Sequence, residues 1–530
     1  MVYYPIGIQT FSEIRTKGFL YVDKTKFVYD VCHPGKFVFL SRPRRFGKSL
    51  LTSTFDAYFS GRKDLFKGLA IEKLETEWKH YPVLHFDLSD IKKGTTEECE
   101  LNLHSQLEDF EKTYGCEKAS DELTIRFREL VKNISRKTES QVVVLIDEYD
   151  APLLTVLHDS ERLEPMRTLL QSFYSPLKKL DQYLRFVFIT GISKFSQLSI
   201  FSQLNNLNNI SMLPQYAGIC GITERELQDN FQEGIAELGK ANNMTEDEVL
   251  TKLKLKYDGY RFSRNAEGVY NPFSLLSAMD NRDFNNYWFS TGTPTFLVNM
   301  MKKFHADLTQ IDGSEAAPEE FDAPTEDMQS ILPLFYQSGY LTIKDYDPEG
   351  ETYFLSIPNQ EVRVGYVNGL LPTYTGLNSG EVQVGFALKF WRALKQGDID
   401  LAMQHMQSYL AGIPYVEGFK QKLAEAKTKE GFYEYTFYLI FSMLNVYVRT
   451  QVKVAGGRTD MVIFMPDAIY VMELKVGDTA RHALEQIDSR GYAKPYLTDG
   501  RKIVKVGIRF DADKHTVDEW EVEPARTYFQ

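Results

Sequence analysis

The sequence predicts an α/β protein whose first domain is a doubly wound parallel sheet, and three observations support this. Short runs of β-branched and aromatic residues alternate with apolar residues at helical spacing along the N-terminal part of the chain. These runs are apolar along their whole length, which is typical of strands covered by helices on both faces. A Gly-Lys-Ser triplet at 47–49 follows the first run and opens a helical pattern.

Four strands and four helices are predicted from this alternation. The predicted strands cover residues 36–41, 82–88, 141–149 and 184–191, and the predicted helices cover 49–59, 97–114, 119–136 and 161–177. Farther along, 221–231 is typical of a capped helix start. The stretch 311–327 is rich in proline and acidic residues, so we expect an exposed loop there.

Length and composition limit the class of protein. At 530 residues the chain exceeds what one hydrophobic core usually supports, so two or three domains are expected. The formal net charge of -12 gives no general attraction to polyphosphate, so nucleic-acid contact must come from a local basic surface. The four cysteines form no CxxC pair, which argues against a disulfide framework or structural zinc. We expect a cytoplasmic protein without membrane contact, because the apolar runs are short and no secretion signal is evident.

Residues 41–50, SRPRRFGKSL, nearly match a phosphate-binding loop, which has Gly, four residues, Gly, Lys, then Ser or Thr. Arg42 stands where the first glycine belongs. The first glycine mainly eases the turn, whereas Gly47 lets the chain approach the phosphates. Lys48 reaches the β and γ phosphates, and the Ser49 hydroxyl joins the Mg²⁺ shell. The three residues that would contact the phosphates or Mg²⁺, Gly47, Lys48 and Ser49, are therefore all present.

The residues between the two glycine positions are also candidates for cofactor binding. They include Arg44, Arg45 and Phe46, which precede Gly47 directly. Arg44 and Arg45 add positive charge that either helps to hold a phosphate or binds something else.

Two acidic residues end the third predicted strand. In VVVLIDEYDAP the apolar run stops at Asp147 and Glu148, where a buried strand would emerge at the carboxyl edge of the sheet. An aspartate there can hold the Mg²⁺ of a nucleotide through water, and the following glutamate can orient the attacking water. A solvated strand end is the alternative. The Gly-Lys-Ser loop upstream favours the nucleotide site.

The fourth strand run ends in polar residues. Thr190 and Ser193 would lie at a neighbouring strand tip, where they can sense the γ-phosphate. A core strand that simply continues into an ordinary loop explains them equally well, so both interpretations stay open.

Five segments, taken in order, carry a resemblance to a known family: PIGIQTFSEI, YVDKTKFV, RPRRFGKS, VVVLIDEYDAP and FITGISKFSQLSIFSQLNNL. The chain resembles the bacterial AAA-ATPase-like family, typically fused to a C-terminal nuclease-like domain of the PD-(D/E)XK superfamily. In that family arginine commonly stands at the position of Arg42. The resemblance implies a P-loop NTPase fold, ATP binding and a helical, lid or winged-helix-like middle region. The expected domains are 1–218, 219–378 and 379–530.

The C-terminal part contains a second constellation. A strand carries Asp460, a tight turn follows, and the next strand carries Glu473 and Lys475. Side chains two apart share a face of a strand, and hairpin pairing can bring Asp460 to that face. Two carboxylates with one lysine can bind Mg²⁺ and hold a water for attack on a phosphodiester. A surface ion pair between Glu473 and Lys475 is the alternative.

This pattern resembles the PD-(D/E)XK core, an α/β restriction-endonuclease-like fold. The resemblance implies that Asp460 and Glu473 are metal ligands and that Lys475 positions the water or steadies the developing negative charge. Thr459 replaces the proline of the motif. Glu434 matches the acidic residue of the first helix, as a further metal ligand, and Gln486 matches the helix that sends a polar residue toward the site.

Two functions from different classes follow. The first is an ATP-binding and hydrolysing protein whose P-loop module gates a Mg²⁺-dependent nuclease, with DNA favoured over RNA and a homo-oligomer possible. The retained Asp460, Glu473 and Lys475 favour it, and the basic residues Arg481, Arg490 and Lys494 support the nuclease-type fold. The second is an ATP-switched interaction protein whose C-terminal domain binds nucleic acid without cutting. The acidic overall charge mildly favours this one.

Overall fold

The computed structural model describes most of the chain: residues 2–33, 35–91, 94–157, 159–193, 206–290, 312–322, 330–365, 380–411, 447–454, 457–465, 467–511, 514 and 516–524. It divides into two compact units. The first comprises Met1–Ala306 and Asp312–Glu361, and the second comprises Asp307–Ile311 and Val362–Gln530. Residues 219–306 and 312–361 thus group with the N-terminal region, and the expected division at 218 and 378 stays a prediction.

The first unit contains a five-stranded parallel sheet in the order β2-β3-β4-β1-β5. Its strands are β1 (Phe37–Ser41), β2 (Val83–Asp87), β3 (Val142–Asp147), β4 (Leu184–Gly191) and β5 (Asn208–Asn209). Every residue of β1 and β3 is buried, as expected for strands with helices on both faces. Because all strands are parallel, the carboxyl ends of β1, β2 and β3 meet at one edge of the sheet.

Among the described residues up to the start of β4, eight α-helices and three 3₁₀ helices accompany this sheet. The α-helices are α1 (Phe11–Lys17), α2 (Thr25–Cys32), α3 (Lys48–Phe59), α4 (Thr96–Tyr114), α5 (Leu123–Thr138), α6 (Ala151–Val156), α7 (Ser160–Tyr174) and α8 (Pro176–Lys179). The 3₁₀ helices are Lys63–Phe66, Ala70–Lys73 and Asp181–Tyr183. All four predicted strands and all four predicted helices are confirmed, with ends displaced by a few residues.

The rest of the first unit is mainly helical. A 3₁₀ helix at Pro214–Tyr216 leads to α9 (Glu224–Asn230), α10 (Gln232–Asn242), α11 (Glu246–Tyr257), α12 (Pro272–Asn281) and α13 (Tyr287–Ser290), and β6 (Ile222–Thr223) pairs with β7 (Val269–Tyr270). The predicted helix start is confirmed, because Thr223 and Glu226 form a capping box at α9.

The expected loop at 311–327 is wrong for its described part. This part contains β8 (Glu315–Ala316) and the helix Pro318–Phe321, followed along the chain by the helix Leu332–Ser338, β9 (Thr342–Asp347) and β10 (Thr352–Ser356). The Phe321 side chain is fully buried and packs against the rings of Tyr336 and Tyr353. The pairing of β8 with β10 and the burial of Phe321 therefore order a segment whose composition is typical of loops.

The second unit is built on a mixed sheet in the order β11-β12-β13-β14-β15. Its strands are β11 (Tyr447–Val454), β12 (Gly457–Phe464), β13 (Ala468–Val476), β14 (Lys502–Asp511) and β15 (Thr516–Pro524), and its helices are Gly380–Lys395, Ile399–Ala411, Ala480–Arg490 and the 3₁₀ helix Lys494–Tyr496. Only β13 and β14 pair in parallel, and the helix Ala480–Arg490 connects them.

Gly507 sets how closely that helix approaches the sheet. It pairs with Glu473 across β13 and β14. A Cβ added at Gly507 would lie 2.2 Å from the Ala480 carbonyl oxygen and 2.9 Å from the Leu484 nitrogen. Only glycine therefore permits this contact, which brings the helix carrying Gln486 against β13.

Among the described residues, no helix is both long enough and apolar enough to span a lipid bilayer.

Gly507→Ala is expected to lower the free energy of unfolding by about 1–3 kcal/mol, because the added methyl clashes with helix backbone that cannot rotate away. Gly218→Ala is the control, since its added Cβ would meet nothing closer than 3.6 Å. Urea denaturation of the full chain measures both. Equal stability of the two variants would contradict the close-contact explanation.

Candidate functional site

The Gly-Lys-Ser triplet lies where β1 passes into α3. Gly47 caps α3 with a φ of 87°, and Arg45 also has a left-handed φ of 64°. The backbone of the loop therefore turns at Arg45 and Gly47, in the second half of the loop. The first three residues of the 12-residue helix α3 line the cavity described below, and a helix N-terminus favours anions.

Arg42 occupies the first glycine position with its side chain directed into the protein. The guanidinium is 1% exposed and donates to the carbonyl oxygens of Ser211 at 2.8 Å and Tyr216 at 3.1 Å. It also lies 4.1 Å from the centre of the Phe262 ring. Burial lowers the pKa of Arg42 to about 10, so it stays charged at neutral pH. The residue fastens the loop to the segment after β5 instead of contacting phosphate.

Lys48 is buried beside the end of β3. Its Nζ lies 3.2 Å from the Pro43 carbonyl oxygen and 3.3 Å from Glu148 Oε1, and its side chain is 3% exposed. An opposite charge at this distance holds the ammonium in place without filling its three donor positions. Lys48 and Glu148, both predicted for the nucleotide site, are therefore brought together, in an ion pair that the sequence did not predict.

Asp147 is brought to Ser49. Burial, and secondarily the charge of Glu148, raise the pKa of Asp147 to about 6, while a hydrogen bond with the Ser49 side chain opposes that rise. The backbone amide of Glu148 donates to Asp147 Oδ1 at 3.0 Å. A carboxylate and a hydroxyl in contact at a strand end are oxygen ligands of the kind that Mg²⁺ accepts.

Lys48, Ser49 and Glu148 line a cavity of about 600 Å³, within the size range of ligand sites. Asp147 is buried and reaches this cavity only through its contact with Ser49. Its lining comprises Pro5, Ile6, Gly7, Ile8, Gln9, Arg44, Arg45, Gly47, Lys48, Ser49, Leu50, Asp87, Ser89, Glu148, Ala151, Ile192, Pro272, Phe273, Leu276, Trp288, Ser338 and Tyr340. Sequence reasoning missed Asp87 and Ser89, although β2 ends in an acid at the same edge as β3. It also assigned no contact to Phe273 or Trp288.

The remaining loop residues divide between the cavity and the core. Arg44 and Arg45 line the cavity, and the Arg45 guanidinium lies 3.8 Å over the Phe273 ring. Phe46 is instead 1% exposed and packs edge-on against Tyr260 and Phe262, so its side chain anchors the loop.

The structure does not bring Thr190 into the cavity lining. Its hydroxyl is buried and donates to the Leu40 carbonyl oxygen of β1 at 2.8 Å. The Ser193 hydroxyl donates to Asp150, whose carboxylate also accepts from the backbone amides of Ile192 and Ser193. These contacts favour the alternative interpretation, in which a core strand simply continues into an ordinary loop. Each hydroxyl already donates to an acceptor within the protein.

The second constellation forms on the hairpin of β12 and β13. The backbone amide of Leu474 donates to Asp460 Oδ2 at 2.7 Å, and the backbone amide of Asp460 donates to Glu473 Oε2 at 3.3 Å. The two strands pair antiparallel with Met461 opposite Met472. Asp460 and Glu473 therefore converge at the end of the ladder, as the hairpin argument predicted.

Lys475 and Gln486 complete this second site. Lys475 Nζ lies 3.6 Å from Glu473 Oε1, and the Gln486 amide donates to the same oxygen. Glu473 is 1% exposed, and burial followed by the charge of Asp460 raises its pKa to about 8. The Glu473–Lys475 pair is thus no surface ion pair, because its carboxylate lies inside the protein.

The other residues that the sequence analysis named in the C-terminal part differ in where they lie. Glu434 lies outside the described residues. Thr459 is fully buried and donates to the Met472 carbonyl oxygen. Arg481, a basic residue counted in favour of the nuclease-type fold, lies 2.7 Å from Glu523 and 3.3 Å from Glu521, so carboxylates offset its charge.

Both sites fit a divalent cation through their donor chemistry. Among the described residues, no group of three or more histidine, cysteine, aspartate or glutamate side chains forms a cage for a metal ion. Mg²⁺ typically uses one or two carboxylates and completes its shell with water and substrate phosphate. Ser49 with Asp147, and Asp460 with Glu473, match that smaller requirement.

Fold and site together define the class. A parallel sheet whose first strand enters a Gly-Lys-Ser loop, with acidic residues ending a nearby strand, is a P-loop-like fold. A mixed sheet with an aspartate on one strand and Glu-x-Lys on the next, followed by a helix that reaches the glutamate, fits a PD-(D/E)XK domain.

The chain belongs to the AAA-ATPase-like family. Residues 5–201 match the family described as "Predicted AAA-ATPase", and residues 428–520 match the "PD-(D/E)XK nuclease superfamily". The chain is also similar to a protein of Azotobacter chroococcum mcd 1 described as "Uncharacterized protein in vnfD 5'region". The two are 33% identical over 528 residues, which cover 98% of each chain.

Arg42→Gly, which restores the usual glycine, is expected to lower the free energy of unfolding by about 2–4 kcal/mol. The reason is that the buried carbonyl oxygens that accept from Arg42 lose their hydrogen-bond donor. Arg44→Gly is the control: it lies in the same loop, is exposed, and should cost about 1 kcal/mol or less. Chemical denaturation measures both variants. A stabilised Arg42→Gly protein would contradict the anchoring of the loop by Arg42.

Glu473 is expected to make stability fall as pH rises. Its pKa is about 8 in the fold against about 4.5 ordinarily, so between these values the folded chain holds a proton that the unfolded chain releases. Between pH 5.5 and 8.5 in EDTA, wild type should lose at least about 1 kcal/mol more than Glu473→Gln. Glu485→Gln, at an exposed position, should behave as wild type. Identical pH profiles for wild type and Glu473→Gln would refute the raised pKa.

Proposed function

We propose that this protein binds and hydrolyses ATP in its first unit, and that the nucleotide state gates a Mg²⁺-dependent phosphodiesterase site in its second unit. The observation that carries the proposal is the convergence of each set of residues. Lys48, Ser49, Asp147 and Glu148 gather at one sheet edge, and Asp460, Glu473, Lys475 and Gln486 gather around one hairpin. The substrate of the second site is nucleic acid, with DNA favoured over RNA.

In the first site, ATP phosphates would lie against the N-terminus of α3. The amides around Gly47 and the ammonium of Lys48 bind the phosphate oxygens, and this draws Lys48 away from Glu148. Glu148 is then released to hold and orient the water that attacks the γ-phosphate. Before ATP binds, the 3.3 Å ion pair thus holds Lys48, which binds phosphate, beside Glu148, which orients the water.

In the second site, Lys475 would act when negative charge grows on the phosphate. Its Nζ is fixed by Glu473 at 3.6 Å, so little reorganisation is needed at the moment of attack. The Gln486 amide holds the orientation of the Glu473 carboxyl. Glu473 must lose its proton before it can serve as a ligand, because its pKa is raised to about 8.

Mg²⁺ would be held by Ser49 and Asp147 in the first site and by Asp460 and Glu473 in the second. In both it would supply positive charge beside the reacting phosphate and a more acidic bound water.

One observation favours a second candidate function, an ATP-switched protein that binds nucleic acid without cutting it. Arg481 is paired with Glu521 and Glu523, which removes one positive charge from the surface near Gln486. Weaker electrostatic attraction for nucleic acid would be consistent with a domain that binds it without cutting. Incubation with plasmid, linear duplex and single strands, with and without Mg²⁺ and ATP, separates cutting from binding.

Lys48→Ala is expected to reduce ATP binding or turnover at least about tenfold, because it removes the charge that faces the β and γ phosphates. Lys67→Ala, at an exposed lysine on the same unit, is the matched control and should leave both unchanged. Glu148→Gln should keep ATP affinity and slow hydrolysis. Calorimetry and phosphate release measure the two quantities.

A folded Lys48→Ala protein with wild-type ATP affinity and turnover would refute the phosphate-loop assignment. Unchanged hydrolysis by Glu148→Gln would show that another group orients the water.

Asp460→Ala and Glu473→Ala are each expected to abolish Mg²⁺-dependent nicking, because either change removes a ligand. Lys475→Ala should leave metal binding largely intact and slow the chemical step. Asp467→Ala, an exposed acid in the turn between the same two strands, is the control. ATP hydrolysis without nucleic acid should survive all four changes. Nicking and ATPase assays on the same preparations test this.

Equal nicking by wild type and all variants would point to a contaminating nuclease. Absence of cleavage by wild type under every metal, nucleotide and substrate would favour the interaction protein.

A further inference from the structure

The helix that connects β13 and β14 has two flanks with different neighbours. On one flank, Arg481 lies 2.7 Å from Glu523 of β15. On the other flank, Gln486 donates to Glu473 of β13. His482 comes four residues before Gln486, and side chains at this spacing are neighbours on a helix. His482 therefore lies one turn from Gln486, on the flank that borders the second site.

His482 is held by a carboxylate that is itself close to the second site. Its Nδ1 is in hydrogen-bond contact with Asp478 Oδ2, and its backbone amide donates to the Thr479 hydroxyl at 3.1 Å. The pKa of Asp478 is held below its usual range, chiefly by the hydrogen bond with His482 and to a smaller extent by the charge of Lys475. Asp478 thus lies between Lys475 of the hairpin and His482 of the helix.

Five side chains therefore form a closed series of neighbours. Lys475 lies 3.6 Å from Glu473, Gln486 donates to the same Glu473 oxygen, and Asp478 with His482 joins Lys475 to the helix turn before Gln486. The series has a buried side and an open side. The side chains of Glu473 and Lys475 are 1% and 17% exposed, whereas those of Asp478 and His482 are 43% and 57% exposed. The Asp478–His482 pair thus lies at the mouth of the second site.

The contact with Asp478 leaves one nitrogen of His482 for a ligand. A carboxylate only accepts hydrogen bonds, so Nδ1 carries hydrogen, while Nε2 has no hydrogen-bond partner among the described residues. A carboxylate on Nδ1 fixes the imidazole and stabilises its protonated form. Arg481 and Glu485, the charged neighbours on the helix, pair with each other at 3.6 Å and leave Asp478 to His482.

We propose that His482 is the general acid of the second site, which protonates the oxygen that leaves when the phosphodiester is cut, and that Asp478 positions it. This inference rests on the proposed phosphodiesterase and adds a catalytic residue to it. Attacking and leaving oxygens lie roughly in line on opposite sides of phosphorus. With the water held on the buried side, beside Lys475 and Glu473, the leaving oxygen faces the open side, where His482 lies.

The reaction then balances as follows. The water oxygen bonds to phosphorus, and the bond between phosphorus and the leaving oxygen breaks. The proton on Nε2 of protonated His482 passes to that oxygen, so the product leaves as an alcohol. The attacking water releases a proton to bulk water, and neutral His482 regains one from bulk water.

The test compares a leaving group that needs a proton with one that does not. An alkoxide of DNA is a strong base, whereas 4-nitrophenolate is a weak base and leaves unprotonated. With Mg²⁺ and ATP, His482→Ala should slow plasmid nicking at least about tenfold and change hydrolysis of bis(4-nitrophenyl) phosphate less than about twofold. Asp478→Ala should show the same pattern with a smaller loss, because the acid stays and only its orientation is lost.

His80→Ala is the matched control, because His80 is an exposed histidine of the first unit, and it should change neither rate. Unchanged nicking by His482→Ala, or an equal loss on both substrates, would overturn the general acid. If wild type nicks plasmid and leaves bis(4-nitrophenyl) phosphate intact, added imidazole decides: restored nicking by His482→Ala supports the acid, and no restoration overturns it. Absence of nicking by wild type would overturn the proposed phosphodiesterase itself, and the general acid with it.

Discussion

Both sites confine two acidic side chains beside a single lysine, and this deficit of positive charge governs the chemistry of each. Lys48 pairs with Glu148, and its charge also acts on Asp147. In the second site Lys475 pairs with Glu473, whose other charged neighbour is Asp460. Burial makes the deficit costly, and the pKa values respond: about 6 for Asp147 and about 8 for Glu473. A divalent cation would offset the uncompensated carboxylate in either site. The same arrangement thus explains why protons and a divalent cation should compete for these carboxylates.

Arg42 and Glu361 are the main internal connections of the nucleotide site. Arg42 joins the loop to the segment after β5 through two carbonyl oxygens, and Glu361 joins Trp288 to α12. Each is a buried charged or titratable group whose partners come from distant parts of the chain. Their effect is to fix the loop and the part of the cavity lined by Trp288 relative to each other.

The sequence was sufficient where local pattern and chemistry agree. The apolar strands, the Gly-Lys-Ser loop and the Glu-x-Lys strand each have a short-range signature, so their placement and the pairing of Glu473 with Lys475 followed from spacing alone. Glycine at 507 and the buried Arg42 side chain could not be interpreted this way, because their functions depend on contacts with residues far along the chain. Phe321 shows the same limit: its burial against Tyr336 and Tyr353 overrides a local composition typical of a loop.

The cavity wall escaped prediction for a related reason. Ile6, Leu276 and Trp288 are ordinary apolar residues in sequence, and only the fold gathers them beside Lys48. Asp87 is a different case, since its position at the end of β2 matches that of Asp147 on the adjacent strand. Comparison of strand ends across the predicted sheet would have found it. Arg481 shows the converse, because its positive charge was counted in favour of the nuclease-type fold although Glu521 and Glu523 already pair with it.

The central claim is that the nucleotide in the first unit controls the phosphodiesterase in the second. The most direct measurement is the initial rate of plasmid nicking in excess Mg²⁺, with and without ATP, by wild type and by Lys48→Ala. Coupling between sites typically amounts to about 5- to 150-fold, so ATP should change the wild-type rate at least about fivefold. The Lys48→Ala rate should not respond to ATP. Metal-dependent nicking that is identical with and without ATP in wild type would contradict the account.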